Sequence, residues 1–130
     1  MTHFEEILAR HFRSDIGKAG ILPYCVKTRR NGRSTLSAVM GDLGFAVGIE
    51  IGTRDGISAE VFCRSMAGLK LTCIDPYTAY GEVTQQRKLD RSYAEAQTRL
   101  AKYGVEMLRT ASREAVGRFA NESVDFVHID

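Results

Sequence analysis

The chain has 130 residues, 44% of them hydrophobic, and a formal net charge of +2 with both signs mixed along its length. That length sets one domain as the prior and is enough to bury a real core. The charge balance does not point to nucleic acid, no apolar run approaches a membrane span, and the opening MTHFEEIL does not read as a signal peptide. The three cysteines, Cys25, Cys63 and Cys73, fit neither a metal spacing nor an even disulfide set. Cys63 and Cys73 sit among apolar residues and read as small core hydrophobes, and a cytoplasmic location is expected.

In chain order, Thr2 and Glu5 make a capping-box pattern, and Phe4, Ile7, Leu8, His11 and Phe12 follow helical spacing, which predicts a helix over residues 2–13. Residues 17–34 lack a period. They carry Pro23, an Asn31-Gly32 turn and the basic cluster Lys27, Arg29, Arg30 and Arg33, which suits a hairpin or an arm. A short helix follows, with Leu36, Val39 and Met40 inward and Gly41 or Gly44 near its end. The run FAVGIEI, residues 45–51, is a buried strand, and Ser58 to Ala67 is a helix stopped by Gly68. LKLTCID, residues 69–75, is a second strand. Residues 84–103 form a long helix ended by Gly104. VEMLRT, residues 105–110, is a third strand, and Ser112 is placed to cap a helix carrying Val116 and Phe119 that stops near Asn121. VDFVHI, residues 124–129, is a fourth. Strands alternating with helices, each strand apolar throughout, predict an α/β fold: a Rossmann-like parallel sheet with right-handed crossovers and helices on both faces. Residues 1–44 then form an amino-terminal region of helices and arm, and residues 45–130 the sheet-bearing region.

In such a sheet ligands lie beyond the carboxyl ends of the strands. The first strand-to-helix loop runs from Gly52 through Thr53 to Gly56, where glycines let the backbone approach a ligand. A dinucleotide fingerprint needs a third glycine, which is missing, and a diphosphate does not suit Glu50 and Asp55 beside it. A cationic ligand with an ammonium and a sulfonium group does, and S-adenosylmethionine is such a ligand. Asp75, at the end of the second strand, is placed to accept hydrogen bonds from ribose hydroxyls, a position that nicotinamide and methionine cofactors both use. The Tyr77 ring suits either packing on the adenosine or covering the sheet end. Ser112 lies where an adenine edge would come and also reads as a plain helix cap. Asp130, at the end of the fourth strand, is placed to bind a divalent ion or a substrate hydroxyl. His128 shares its strand face, and also reads as a packed histidine.

In combination, GIEIGTRDGISAEVF, LTCIDPY and ESVDFVHID resemble the class I S-adenosylmethionine-dependent methyltransferases. They are most similar to the small-molecule O-methyltransferase branch that includes macrolide-sugar methyltransferases, from about Phe45 to Asp130. The resemblance implies cofactor binding at Glu50, Gly52, Gly56, Asp75 and Ser112, with Glu114 beside Ser112 on the adenine side; Thr53, inside the glycine loop, and Tyr77, after the second strand, complete the expected cofactor site by position. It implies a catalytic role for Asp130, which in cation-dependent members is also a metal ligand, for instance to Mg. It further implies a strand order 3-2-1-4 and a hydroxyl of a small molecule or sugar as methyl acceptor. The family sheet has seven strands and this chain supplies four. The glycine or alanine and the acidic or histidine residues that usually follow the strand-four acid are absent. A C-terminally truncated chain, poorly stable and inactive by itself, is therefore expected. Three other readings stay open: an oxidoreductase using an NAD-type nucleotide, a non-catalytic methyltransferase-like binding module, and an RNA methyltransferase supported only by the basic cluster Lys27 to Arg33.

Overall fold

The structure, a computed structural model, describes residues 2–11, 32–79, 81 and 83–130. Most of the arm expected over residues 17–34 lies outside the described residues, as do Phe12 and Cys25. Its last positions, Arg33 and Ser34, open a helix instead.

Helix α1 spans His3–His11. The Thr2 amide donates to Glu5 Oε2 at 2.6 Å and the Glu5 amide to Thr2 Oγ1 at 3.2 Å. This reciprocal pair satisfies two of the helix's orphan donors. Helix α2 spans Arg33–Asp42. Ile7 and Leu8 bury against Val39, with Leu43 beside them. Arg10 and His11 both reach Asp42, at 3.1 and 2.7 Å. Two expected inward residues point outward: Phe4 and Leu36 are exposed. α2 packs on both sides, Val39 toward α1 and Met40 toward the main core, and Leu36 lies on neither of these faces.

The sheet has strands β1 (Val47–Ile51), β2 (Lys70–Ile74), β3 (Glu106–Leu108) and β4 (Phe126–Ile129), in the order β3-β2-β1-β4. Every pairing is parallel, as the strand-helix alternation requires. Register places Glu50 of β1 between Cys73 of β2 and His128 of β4. The connecting helices are α3 (Ile57–Ser65), α4 (Val83–Leu100) with a 3-10 turn at Ala101–Tyr103, and α5 (Ser112–Ala115) with a 3-10 turn at Val116–Arg118. Gly104 closes the α4 segment at φ +65°, a conformation that L side chains resist.

One face of the sheet is covered by α2, α3 and α4. Met40, Phe62, Met66, Leu71, Cys73 and Leu100 form its core. Phe126 packs there between Phe45 and Phe62, with centroids 6.4 and 5.9 Å away. Its ring fills the space a side chain on Gly48 would need. The other face carries a smaller cluster: Ile49, Ile74, Leu108 and Ala115, with Phe119 and Val124 at its margin. Here α5 is shorter than expected, and Val116 is exposed rather than inward. Cys63 and Cys73 are buried free thiols, and burial pushes the Cys63 thiol up to about 11 and the Cys73 thiol to about 12.

Candidate functional site

The carboxyl ends of β1, β2 and β4 converge on one loop. Gly52 turns the chain out of β1 at φ +86°. Its amide donates to Ile74 of β2 at 2.8 Å, while the Asp130 amide donates to Ile51 at 3.0 Å. A Cβ on Gly52 would stand 2.6 Å from the Asp130 carbonyl oxygen, so a bare backbone is needed where the two strand ends meet. Gly56, at φ +81°, starts α3. Its amide is taken by the Thr53 carbonyl at 2.9 Å, and a Cβ there would press on Ala96 and Leu100 of α4. The free side of Gly56 thus faces a helix.

Above the loop lies a cleft of about 390 Å³ whose walls include Arg33, Gly52, Thr53, Arg54, Ser58 and Asp130. A second depression of about 690 Å³ lies between α3 and α4, lined by Glu60, Arg91, Glu95 and Arg99 among others, and no residue that closes a strand lines it. Thr53 lines the cleft, but its hydroxyl has no exposed surface: it faces Glu50 and Cys73 beneath the loop, and among the described residues no hydrogen bond to it closes. Such an atom costs roughly 1–3 kcal/mol unless something satisfies it.

Asp75 sits at the end of β2. Its Oδ2 accepts the Arg54 amide at 2.9 Å and its Oδ1 accepts the Tyr77 amide at 2.8 Å. These bonds hold two non-glycine residues at positive φ, Arg54 at 51° and Tyr77 at 49°, and each carboxylate oxygen keeps a second lone pair. The Tyr77 hydroxyl donates to the Arg54 carbonyl at 2.6 Å. Its ring is buried against Tyr93, with centroids 4.9 Å apart, and the Arg109 guanidinium lies over Tyr93. Of its two expected roles, Tyr77 occupies the one that covers the sheet end. Burial raises its pKa, which keeps the hydroxyl a donor.

Glu50 lies beneath the loop, not in the cleft wall, and is fully buried. Oε1 faces His128 Nδ1 at 3.3 Å and Oε2 faces the Cys73 thiol at 3.9 Å. Burial pushes its carboxyl up to about 7. Thr53 lies near enough to draw it down without closing a hydrogen bond.

Ser112 is exposed and is the first residue of α5. The N-cap is Ala111, without a side-chain bond, so Ser112 does not cap the helix. Glu114 accepts from Thr110 at 2.7 Å, a bond that lowers its pKa. Asp130 accepts from the Ser58 hydroxyl at 3.0 Å and lies 3.7 Å from the Arg33 guanidinium. A guanidinium is a cation and cannot ligate a metal. Among the described residues no group of three His, Cys, Asp or Glu could hold one. The expected divalent ion at Asp130 does not fit these neighbours. Sequence reasoning missed Ser58 and Arg33. Ser58, two residues past the loop glycine on the first turn of α3, was in principle visible. Arg33 was not, because it reaches the cleft from a helix that is remote in sequence.

The sequence profile of a family described as "Methyltransferase domain" matches residues 49–130. The fold is similar to an O-methyltransferase from Bacillus cereus in complex with SAH, at TM-score 0.55 and 17% identity over 98% of this chain and 53% of that one. It is also similar to cofactor-bound Rv0187 from MTB, at TM-score 0.56 and 19% identity over 98% of this chain and 52% of that one. The chain spans about half the length of these solved structures. The comparison with curated proteins returned no match.

Proposed function

We propose, from the premise that this chain belongs to the methyltransferase-domain family, that it binds S-adenosylmethionine in the cleft above Gly52 and serves methyl transfer to a hydroxyl of a small molecule or sugar. The observation that carries the reading is a cleft at the carboxyl ends of β1 and β4 whose walls bear both charge signs, Arg33 and Arg54 against Asp55 and Asp130. The amino-acid end of S-adenosylmethionine is a zwitterion and suits such walls. The cofactor, when bound, supplies an electrophilic methyl group on a sulfonium.

The chain's own residues bind and orient. Asp75 offers its free lone pairs to ribose hydroxyls while its other bonds hold the loop in shape. Asp130, kept in place by Ser58, accepts the proton of an acceptor hydroxyl or aligns it. No step runs through a metal. A second reading, a cofactor-binding module that transfers no methyl group alone, is favoured by the neighbours of Asp130: the Ser58 hydroxyl and the Arg33 guanidinium both occupy its Oδ2.

Calorimetry with S-adenosylhomocysteine and NAD tests the ligand. S-adenosylhomocysteine should bind and NAD should not, and Asp75→Ala should weaken binding by about 1–3 kcal/mol as charge-assisted bonds are lost. Unchanged affinity in that variant would remove Asp75 from the site. A radiolabelled methyl donor with hydroxyl acceptors then separates the enzyme from the binding module.

A further inference from the structure

Arg54 after β1 and Tyr77 after β2 both stand in the left-handed region, at φ 51° and 49°. An L side chain resists that conformation, and a residue other than glycine keeps it only where its surroundings impose it. The two are held in the same manner. The Arg54 amide donates to Asp75 Oδ2 at 2.9 Å, and its carbonyl accepts from the Tyr77 hydroxyl at 2.6 Å. The Tyr77 amide donates to Asp75 Oδ1 at 2.8 Å, and its carbonyl accepts from Gln86 Nε2 of α4, also at 2.8 Å. In each residue the amide lies before the φ torsion and the carbonyl after the ψ torsion. Bonds on both groups therefore fix both of the soft torsions.

The bond from Asp75 holds only one side of Arg54. Without the Tyr77 hydroxyl the next peptide is free to turn, and Arg54 relaxes toward negative φ. Arg54 is exposed and lines the cleft beside Gly52 and Asp55, so that turn moves a cationic side chain and the following carboxylate out of the cleft wall. Tyr77 itself is 2% exposed. Its ring packs on Tyr93, with centroids 4.9 Å apart, and under the Arg109 guanidinium at 5.9 Å. It reaches the cleft only through Arg54.

We propose that Tyr77 is a positioning residue of the cofactor cleft, backed by Gln86: its hydroxyl and Asp75 clasp Arg54 from both sides and hold the Arg54-Asp55 segment in the shape that receives the polar end of the ligand. This rests on the reading of the cleft as an S-adenosylmethionine site. It ties the loop after β1 to the loop after β2, and it gives a buried ring a role in binding without ligand contact.

The test is a double-mutant cycle on the full 130-residue chain, read by calorimetry with S-adenosylhomocysteine. Tyr77→Phe keeps the ring on Tyr93 and removes only the hydroxyl. It should weaken binding about tenfold, as the competent loop becomes the minor form. In an Arg54→Gly background, where the left-handed conformation carries no steric cost, the same change should cost about twofold or less. Equal losses in both backgrounds, or no loss from Tyr77→Phe alone, would overturn the proposal. Amide hydrogen exchange reads the clasp without ligand. The Arg54 amide should exchange about tenfold faster in Tyr77→Phe while amides in the middle of α3 keep their rates. Equal quickening in α3 would make the hydroxyl a general support of the fold and would also overturn the proposal. If Tyr77→Phe does not fold, Gln86→Ala, at a half-buried helix position, carries the test. It should weaken binding about threefold and quicken Arg54 exchange, and no change in either would sink the clasp. A wild type that binds no S-adenosylhomocysteine defeats the cofactor reading, and the clasp is then decided by exchange: an unchanged Arg54 rate in Tyr77→Phe defeats it as well.

Discussion

The two faces of this sheet are built from the same four strands and are covered unequally. On one, three helices bury a continuous core in which Phe62 and Ala59 have no exposed surface. On the other, α5 and its following turn cover the β1–β3 side, and Val127 and Ile129 of β4 remain 49% and 75% exposed. Both faces carry apolar side chains, so hydrophobicity alone does not decide burial. Burial depends on an element being there to pack against. The thick face also holds the buried ends of the cleft apparatus, Glu50, His128 and Cys73, which links the stability of that face to the shape of the ligand loop.

Several substitutions would break or sharpen this contrast. The largest effect is expected at Phe62: replacement by Ala should cost about 3–5 kcal/mol in urea unfolding, since a fully buried aromatic leaves a cavity. Next comes pH. Burial raises the Glu50 carboxyl from 4.5 to about 7 in the folded chain, so the folded state holds its proton where the unfolded state has released it. Its contribution to stability is full below pH 4.5 and is lost as pH rises through about 7, by roughly 3 kcal/mol at most. Denaturation curves across that window should slope downward for wild type and flatten in Glu50→Gln; equal slopes would refute the raised pKa. Gly48→Ala should cost about 1–3 kcal/mol, because the new methyl group collides with the Phe126 ring and the packed aromatics must shift.

The smallest change in stability is expected on the thin face. Val127→Thr with Ile129→Thr should alter unfolding free energy by about 0.5 kcal/mol or less. The same pair should reduce concentration-dependent association in sedimentation, since among the described residues β4 is the outer strand of the sheet and carries apolar groups in solvent, and such edges invite pairing. A wild-type chain that stays monomeric at high concentration would show that this face is harmless as it stands.

Much of this was legible in the linear chain. The periods of the apolar runs placed all four strands and the glycine stops, the strand-helix alternation predicted parallel pairing, and the family resemblance implied the order β3-β2-β1-β4 that the sheet has. The Thr2-Glu5 cap was readable because both partners lie within one helical turn. Asp75 was recognisable as a loop carboxylate at a strand end, and Gly52 and Gly56 as positions requiring a bare backbone. The sequence alone did not separate ligand approach from packing as the reason for those glycines, because a Cβ at Gly56 meets Ala96 and Leu100 some forty residues away. Nor did it tell which of Tyr77's roles is filled, or that Val116 lies outside the thin face. Glu50 is the clearest case: its chemistry was plain, but its direction depends on β4, whose His128 approaches it across 78 residues of chain. Local patterns determine which segments become strands and helices, since propensity and periodicity act over a few residues. Which side chains then share a buried volume is decided only when the strands pair, because register across the sheet sets neighbours that no local pattern records.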